Sequence, residues 1–197
     1  MKKLVLFLMA AGLTYCVNAQ TSKGNMMVGG ALSFFTVSDQ SDTDFEYKGT
    51  SFSPSFGYFL FDNFALGAEL SVGSTTTDNG NTKRISSSFG FGPFARYYKF
   101  TSNESFAFFG QARFLYSSGK VDDTPGGENK TQNIAFSISP GFSYFFTKHW
   151  ALDLSIAGLV IQSNDPNKDA DDDKVNSVEF GISSLSPTLG FRYHFGN

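Results

Sequence analysis

The sequence predicts an all-β fold, an eight-stranded antiparallel up-and-down transmembrane β-barrel. Eight segments alternate large apolar residues with small or polar ones, so that each set occupies one face of a strand. The connections between these segments alternate between short and long. The chain contains 24 phenylalanines, yet no long apolar run follows residue 19. This combination is typical of membrane-spanning barrel strands, which are apolar on one face only.

The first 19 residues are typical of a secretory signal peptide. A basic start precedes an apolar run from Leu4 to Leu13, and Ala19 provides a small residue before the expected cleavage at Gln20. A retained anchor is the alternative, but the run is about half of the roughly 20 residues that a spanning helix requires. We therefore expect a signal peptide over residues 1–19 and one β-barrel domain over residues 20–197.

Cysteine and charge exclude several function classes. Cys16 is the only cysteine, so a chain that begins at Gln20 has neither disulfides nor thiol chemistry. A lipoprotein signal ending at Cys16 is a further alternative, which the bulky Tyr15 fits poorly. Removal of Lys2 and Lys3 from the 15 basic residues leaves 13 against 18 acidic ones. No basic patch indicates nucleic acid, and we expect no cofactor and no metal.

The eight alternating segments follow one another along the whole chain after the signal. They lie at approximately 25–37, 46–61, 64–75, 84–99, 105–118, 132–146, 149–162 and 177–195. In the third, the apolar face consists of Phe64, Leu66, Ala68, Leu70 and Val72. In the eighth, Phe180 and Ile182 are out of phase with Leu189, and a β-bulge near Ser183-Ser184 would restore the phase.

The even-numbered segments share a repeat in which a proline is followed, at even spacing, by apolar residues and a tyrosine. The copies Pro54–Tyr58, Pro93–Tyr97, Pro140–Tyr144 and Pro187–Tyr193 recur every 39 to 47 residues, about two strands and their connections. Proline has no N–H to donate to a strand ladder. We therefore expect a ring of local bulges or bends at the four prolines, with water or interior side chains bound to the freed carbonyls.

The connections indicate which end of the barrel faces the periplasm. Those at 62–63, 100–104 and 147–148 are short, whereas those at 38–45, 76–83, 119–131 and 163–176 are longer and polar. Outer-membrane barrels have short periplasmic turns and longer outer loops. Aromatic residues that follow the short turns join the repeat tyrosines in a predicted periplasmic girdle: Tyr58, Phe64, Tyr97, Phe106, Tyr144, Trp150 and Tyr193.

The polar face of the strands decides which side points inward. A soluble, lipocalin-like barrel would put its apolar side chains inside and many Lys and Glu outside. Here the polar face is mostly Gly, Ser and Ala, which suits a narrow interior, so the aromatic face is predicted to contact lipid. The interior would then carry a polar network of Glu69, Arg96, Gln111, Arg113, Asp153 and Arg192. We expect these charges to pair and fill the interior, a gate or proton path being the alternative.

An acidic loop at residues 163–176 contains the spacing Asp169-x-Asp171-x-Asp173, which is similar to the start of a calcium loop. Lys174 and Phe180 replace the Gly and Glu that such a loop requires at its sixth and twelfth positions. We therefore expect a solvated acidic loop, bridged loosely by divalent ions to lipopolysaccharide.

The chain has two histidines, and both lie at the predicted periplasmic end. Hydrolytic or acyl-transfer sites usually need a histidine base beside a nucleophile. His149 or His194 could draw on Asp153, but no pattern indicates a strained nucleophile or oxyanion donors. The interpretation we favour is that both are interfacial polar residues, flanking Trp150 and Tyr193.

The signal peptide, the eight segments, the girdle and the C-terminal Phe191-Arg-Tyr193-His-Phe195 together resemble the small OmpA/OmpX-like outer-membrane β-barrel family, in the form found in Bacteroidota. The resemblance implies a location in the bacterial outer membrane, contact with its lipid and lipopolysaccharide, and a monomer. It also implies recognition of Phe195 by the barrel-assembly machinery, although Gly196 and Asn197 follow Phe195 here.

Three hypotheses of function follow from this resemblance. The first is a non-enzymatic structural or surface-interaction protein with a lumen plugged by polar and charged side chains. The second is a narrow channel for small or hydrophobic solutes, as in OmpW-like relatives. The third is a barrel enzyme that modifies lipid A.

Overall fold

The computed structural model describes residues 18–39, 45–168, 174–180 and 188–196. A 3-10 helix, Asn18–Thr21, precedes the strands. Within these ranges the strands are β1 (Met26–Asp39), β2 (Phe45–Phe61), β3 (Phe64–Asp78), β4 (Lys83–Phe100), β5 (Phe106–Thr124), β6 (Gly127–Phe145), β7 (Trp150–Ser155), β8 (Leu159–Asp165), β9 (Val175–Phe180) and β10 (Thr188–Phe195). No helix among the described residues has the length and apolar character needed to cross a membrane.

All strand pairings are antiparallel, and they close into a ring. Each of β1 to β6 pairs with the next strand along the chain. β7 then pairs with β10, and β10 pairs with β1. Eight strands therefore form the ring. β8 pairs with the part of β6 that lies before its pairing with β7, and β9 pairs with β8. The predicted all-β antiparallel class is confirmed. The seventh predicted segment is two strands, β7 and β8, rather than one. The eighth contains β9 and β10, and residues 181–187 between them lie outside the described part of the chain.

Side-chain alternation separates the two surfaces of the ring. In β4, Phe94 and Tyr98 are at most 2% exposed, whereas the alternate residues Phe91 and Tyr97 are each 54% exposed. The face rich in large aromatic residues therefore points outward, as expected from its sequence. The face that carries Arg96 points inward, where that side chain is buried.

The prolines interrupt strand pairing on one side only. Pro54 and Pro93 pair with Gly30 and Ala68, but the ladders from β2 to β3 and from β4 to β5 skip these prolines without a change of register. Pairing is therefore interrupted at both prolines, but neither interruption contains the extra residue of a bulge, and the expected bends stay a prediction. Proline lacks only the N–H, so the ladder can lose one bond and keep its register.

Pro140 does coincide with an irregularity. Gly141 pairs with Ser155 and Ile138 pairs with Leu159, so three residues at 156–158 lie opposite two residues of β6. The carbonyl of Pro140 accepts a hydrogen bond from the Ile156 amide at 3.1 Å. This bulge separates β7 from β8. Pro187 and the bulge predicted near Ser183-Ser184 lie outside the described residues.

Two of the connections expected to be long are strand for most of their length. β5 continues to Thr124 and β6 begins at Gly127. In the same way, only residues 79–82 separate the end of β3 from the start of β4. Polar side chains pair across these extensions: Arg84 donates to Asp123 at 2.7 and 3.0 Å, and these bonds lower the pKa of Asp123. Alternation could not reveal these segments because both of their faces are polar. The acidic residues at 169–173 lie outside the described part of the chain.

The segment before β1 packs against the end of the ring that carries the short turns. Thr21 is fully buried and its Oγ1 donates to Asn63 Oδ1 at 2.6 Å, while Gln20 Nε2 donates to the Thr147 carbonyl at 2.9 Å. The Gly24 amide donates to the Phe59 carbonyl at 2.9 Å. These bonds hold the start of the domain against the ring.

Candidate functional site

The interior of the ring contains a buried charge network centred on Asp153 of β7. Arg96 Nη1 and Arg192 Nε each lie 2.5 Å from Asp153 Oδ2, and Ser143 Oγ donates to Asp153 Oδ1 at 2.6 Å. The three charged residues are at most 5% exposed. β4, β6, β7 and β10 supply these side chains, so the carboxylate ties four strands together across the interior.

Each of the two arginines also makes hydrogen bonds to uncharged partners. Arg96 Nε donates to Gln111 Oε1 at 2.8 Å and Arg96 Nη1 to the Tyr98 hydroxyl at 3.1 Å. Arg192 Nη1 donates to Ser55 Oγ at 3.0 Å. Burial of a charge is tolerated when it is paired and hydrogen-bonded, and this network meets both conditions.

A second ion pair lies beside this network. Arg113 Nη1 donates to Glu69 Oε1 at 2.7 Å, and the side chains are 33% and 6% exposed. All six residues predicted for the interior network therefore point inward and take part in two groups, one around Asp153 and one between Arg113 and Glu69. Both groups line a cavity of about 320 Å³, whose wall also includes Ser51, Ser71 and Ser137.

A layer of aromatic side chains fills the interior on the other side of the Asp153 network, toward the short turns. It consists of the aromatic residues Phe59, Phe94, Tyr98, Phe109 and Phe145 together with Met27, all at most 5% exposed. Tyr98 lies at its centre, with ring centroids 6.0 to 6.2 Å from those of Phe59, Phe109 and Phe145. The interior was expected to be small and polar throughout, and this half of it is not.

Glycines on the inward face make room for these rings. A Cβ at Gly67 would lie 2.5 Å from Cζ of Phe94, and one at Gly141 would lie 2.6 Å from Cε2 of Phe109. Any larger residue at either position would displace the ring. Large and small side chains on neighbouring strands therefore complement each other, as a narrow interior requires.

The sequence does contain a signal for this layer. Pairs of adjacent aromatic residues occur where strands approach the short turns: Tyr58-Phe59, Tyr97-Tyr98, Phe108-Phe109 and Tyr144-Phe145. Because neighbours on a strand point to opposite faces, one member of each pair must point inward. The girdle prediction covered only the outward tyrosines of these pairs and left out the inward residues Phe59, Tyr98 and Phe145.

The histidines differ from the expectation. His194 is 1% exposed and lies inside the aromatic layer, 5.2 Å from the Phe145 ring, so the prediction that it is an interfacial residue is wrong. His149 is exposed, and its Nδ1 lies 2.9 Å from the His194 carbonyl oxygen. In the described part of the chain no hydrogen bond joins either imidazole to Ser143 or Asp153. Asp153 is instead held by two arginines.

The residues predicted for the girdle form cross-strand pairs on the outward face. Phe64 pairs with Tyr97, Phe106 with Tyr144 and Trp150 with Tyr193, and the last two pairs have ring centroids 4.8 and 4.7 Å apart. Tyr58 is 41% exposed on β2. Phe195, the residue predicted for assembly, ends β10 opposite Met26. Their contact with a membrane interface and with assembly machinery stays a prediction.

Comparison with solved structures gives similarities to several outer-membrane proteins. The N-terminal β-barrel domain of Pseudomonas aeruginosa OprF has a TM-score of 0.49 and 13% identity, covering 88% of this chain and 98% of that one. Neisserial surface protein A has a TM-score of 0.46 and 21% identity over 88% and 98% of the two chains. Ail of Yersinia pestis has a TM-score of 0.44 and 12% identity over 88% and 99%. At these levels the similarities carry no functional argument.

Comparison with sequence families identifies the family of this chain. No match to the chain was found among curated proteins. The model of the outer membrane protein beta-barrel domain matches residues 4–184, most of the chain. This is a protein of the bacterial outer membrane, and it belongs to the outer membrane protein beta-barrel domain family.

Proposed function

We propose that the chain forms an eight-stranded transmembrane β-barrel with a closed lumen, and that it is a non-enzymatic structural or surface-interaction protein. The observation that carries this proposal is the stacking of two buried layers across the interior, the Asp153 network and the aromatic layer around Tyr98. Asp153 and Arg192 are at most 5% exposed, and Tyr98 is 1% exposed. Side chains occupy the space that a channel would need.

The strand number supports this proposal. Eight strands give an interior that is only wide enough for side chains to fill. A hydrated ion would have to separate Asp153 from Arg96 or Arg192, which leaves a buried charge unpaired at a cost of several kcal/mol. It would then have to displace the rings of Phe59, Tyr98 and Phe145, which are packed against one another.

The parts of the strands beyond the lipid provide the surface for interaction. The β3–β4 and β5–β6 hairpins end in turns at 79–82 and 125–126, and charged pairs such as Lys120–Glu128 lie along them. We propose that these hairpins face the cell exterior, because the short turns and buried N-terminal segment lie at the other end. The proposed partners are outer-membrane lipid and lipopolysaccharide, with Phe195 as the signal for the barrel-assembly machinery. The closed ring supports a monomer.

A swelling assay on proteoliposomes tests the closed lumen. Liposomes that contain the purified protein should swell in isotonic sugar or amino-acid solutions no faster than empty liposomes, while liposomes with a general porin should swell rapidly. Swelling that rises with the amount of folded protein would contradict a structural role without transport.

A further inference from the structure

A groove of about 870 Å³ crosses the outer surface from β1 to β6. One edge is a row of cross-strand partners, Leu32, Phe52, Val72 and Phe89, each at least half exposed. Adjacent strands lie about 4.8 Å apart, so the groove is about 24 Å long across five spacings. It is long and narrow, and its edge continues the apolar outward face of the barrel.

The floor of the groove is the next row of cross-strand partners toward the hairpin tips. Thr50, Ser74 and Ser87 occupy this row on β2, β3 and β4, and their small side chains give the groove its depth. The row continues into Lys120 of β5 and Lys130 of β6. The groove is therefore apolar along one edge and cationic at one end.

The two lysines are direct cross-strand partners, an arrangement that is normally destabilising because like charges face each other. Lys120 Nζ pairs with Glu128 Oε1 at 2.7 Å, but no ion pair is described for Lys130 among the residues of known placement. Glu128 and Asp122 form the following row toward the tip and do not line the groove. Lys120 is therefore balanced by Glu128, and Lys130 is the lysine of this pair for which no ion pair is described within the placed residues.

The height of the lysines matches the outer membrane surface. Lys130 is 14 residues from the girdle residue Tyr144 on β6, about 46 Å along a strand and about 33 Å along the membrane normal at a tilt of 45°. The hydrocarbon core is about 30 Å thick. Phe89 is eight residues from Tyr97 on β4 and so lies at the depth of the acyl chains.

We propose that this groove binds a phosphorylated lipid of the outer leaflet, with an acyl chain along the row of Phe52, Val72 and Phe89 and a phosphate between Lys120 and Lys130. A free phosphate would use the lysines but not the apolar edge, so the groove fits an amphiphile. This inference rests on the proposed transmembrane barrel with its hairpins outside the cell. A phosphate between the lysines would also relieve their mutual repulsion.

Binding of lipid A to the purified full-length protein in detergent tests this inference, with native mass spectrometry as the readout. The Lys130→Gln and Lys120→Gln/Lys130→Gln variants should bind bisphosphorylated lipid A about tenfold or more weakly than the wild type, since about 1.4 kcal/mol corresponds to tenfold. The matched control is Lys48→Gln/Lys83→Gln, which removes two outward strand lysines that do not line the groove. This control should bind as the wild type does.

A second pair of measurements separates the lipid from its phosphate. The wild type should bind dephosphorylated lipid A as weakly as the double lysine variant does, and Ser74→Trp, which fills the floor, should weaken lipid A binding without removing a charge. Equal binding by the wild type and the double variant would overturn the inference. So would complete competition by millimolar inorganic phosphate, which would identify a simple anion site.

The proposed barrel is tested separately on the same samples. Folded barrels migrate faster than heat-unfolded chains on SDS gels and insert into vesicles. A wild type that fails both tests would overturn the barrel and the groove together. A wild type that passes both but binds lipid A no better than its double lysine variant would overturn the groove alone.

Discussion

The guanidinium carbon of Arg96 lies 3.9 Å from the centroid of the Phe109 ring. This contact joins the charged layer of the interior to the aromatic layer, because the same guanidinium pairs with Asp153 and Phe109 packs against Tyr98. A cation over a ring is stabilised most when both groups are shielded from water, as these are. The two layers therefore form one continuous unit.

Replacement of Phe109 by alanine should destabilise the barrel by about 3 to 5 kcal/mol, as for other large-to-small changes at buried aromatic residues. The change removes the ring from the aromatic layer and uncovers Arg96. Urea unfolding in lipid vesicles, followed by tryptophan fluorescence, gives the free energy. Phe108→Ala is the matched control, since Phe108 is 58% exposed on the outward face. Equal losses in the two variants would contradict the packing described here.

The carboxylate of Asp153 should be essential to stability. Asp153→Ala leaves Arg96 and Arg192 without a buried counter-charge, and loss of one partner of a buried pair typically costs about 3 to 5 kcal/mol. Asp123→Ala removes the partly exposed partner of Arg84, a pair at the surface, and should leave the unfolding curve unchanged. If Asp153→Ala had the same free energy of unfolding as the wild type, the network would contribute nothing to the stability of the fold.

The two inward glycines Gly67 and Gly73 should respond differently to alanine. A methyl group at Gly67 would clash with the carbonyl oxygen of Phe56 and would lie 2.5 Å from Cζ of Phe94, whereas at Gly73 the nearest atom, Ser88 Oγ, is 3.4 Å away. Overpacking usually costs about 1 to 3 kcal/mol, so Gly67→Ala should lower the free energy of unfolding by that amount. Gly73→Ala should change it little. The reverse order of the two variants would refute this description of the interior.

The amide of Gly24 should be protected from hydrogen exchange. It donates to the Phe59 carbonyl, and the neighbouring Thr21 is fully buried. Exchange measured by NMR in micelles should be slowed relative to the exposed turn residue Gly126, and Thr21→Val should accelerate it by removing the bond to Asn63. Exchange at the unprotected rate in the wild type would mean that this segment is free in solution.

Alternation along the strands was sufficient to predict the all-β antiparallel class and most strand positions. The pattern was informative for β3 and β4 because the membrane-facing surface requires large apolar residues and the narrow interior requires small ones. It failed for the outer parts of β5 and β6, where neither face is apolar and Lys120 to Glu128 resemble a polar loop.

The interior could be predicted only in part. Glu69, Arg96, Gln111, Arg113, Asp153 and Arg192 were identified because charge on an otherwise small-residue face is rare. The aromatic layer was not predicted, although the alternation that places Tyr58 and Tyr144 on the outward face also places their neighbours Phe59 and Phe145 on the inward face. The bond between Gln20 and Thr147 joins residues 127 apart in sequence and follows from closure of the ring alone.

A planar-bilayer recording of the purified, folded protein tests the closed lumen most directly. The account predicts no stable conductance steps for the wild type, because the Asp153 network and the aromatic layer both cross the interior. Stable steps in the wild type that disappear on substitution of Arg96 or Arg192 would show that the interior charges line a conducting path. That result would contradict the central claim.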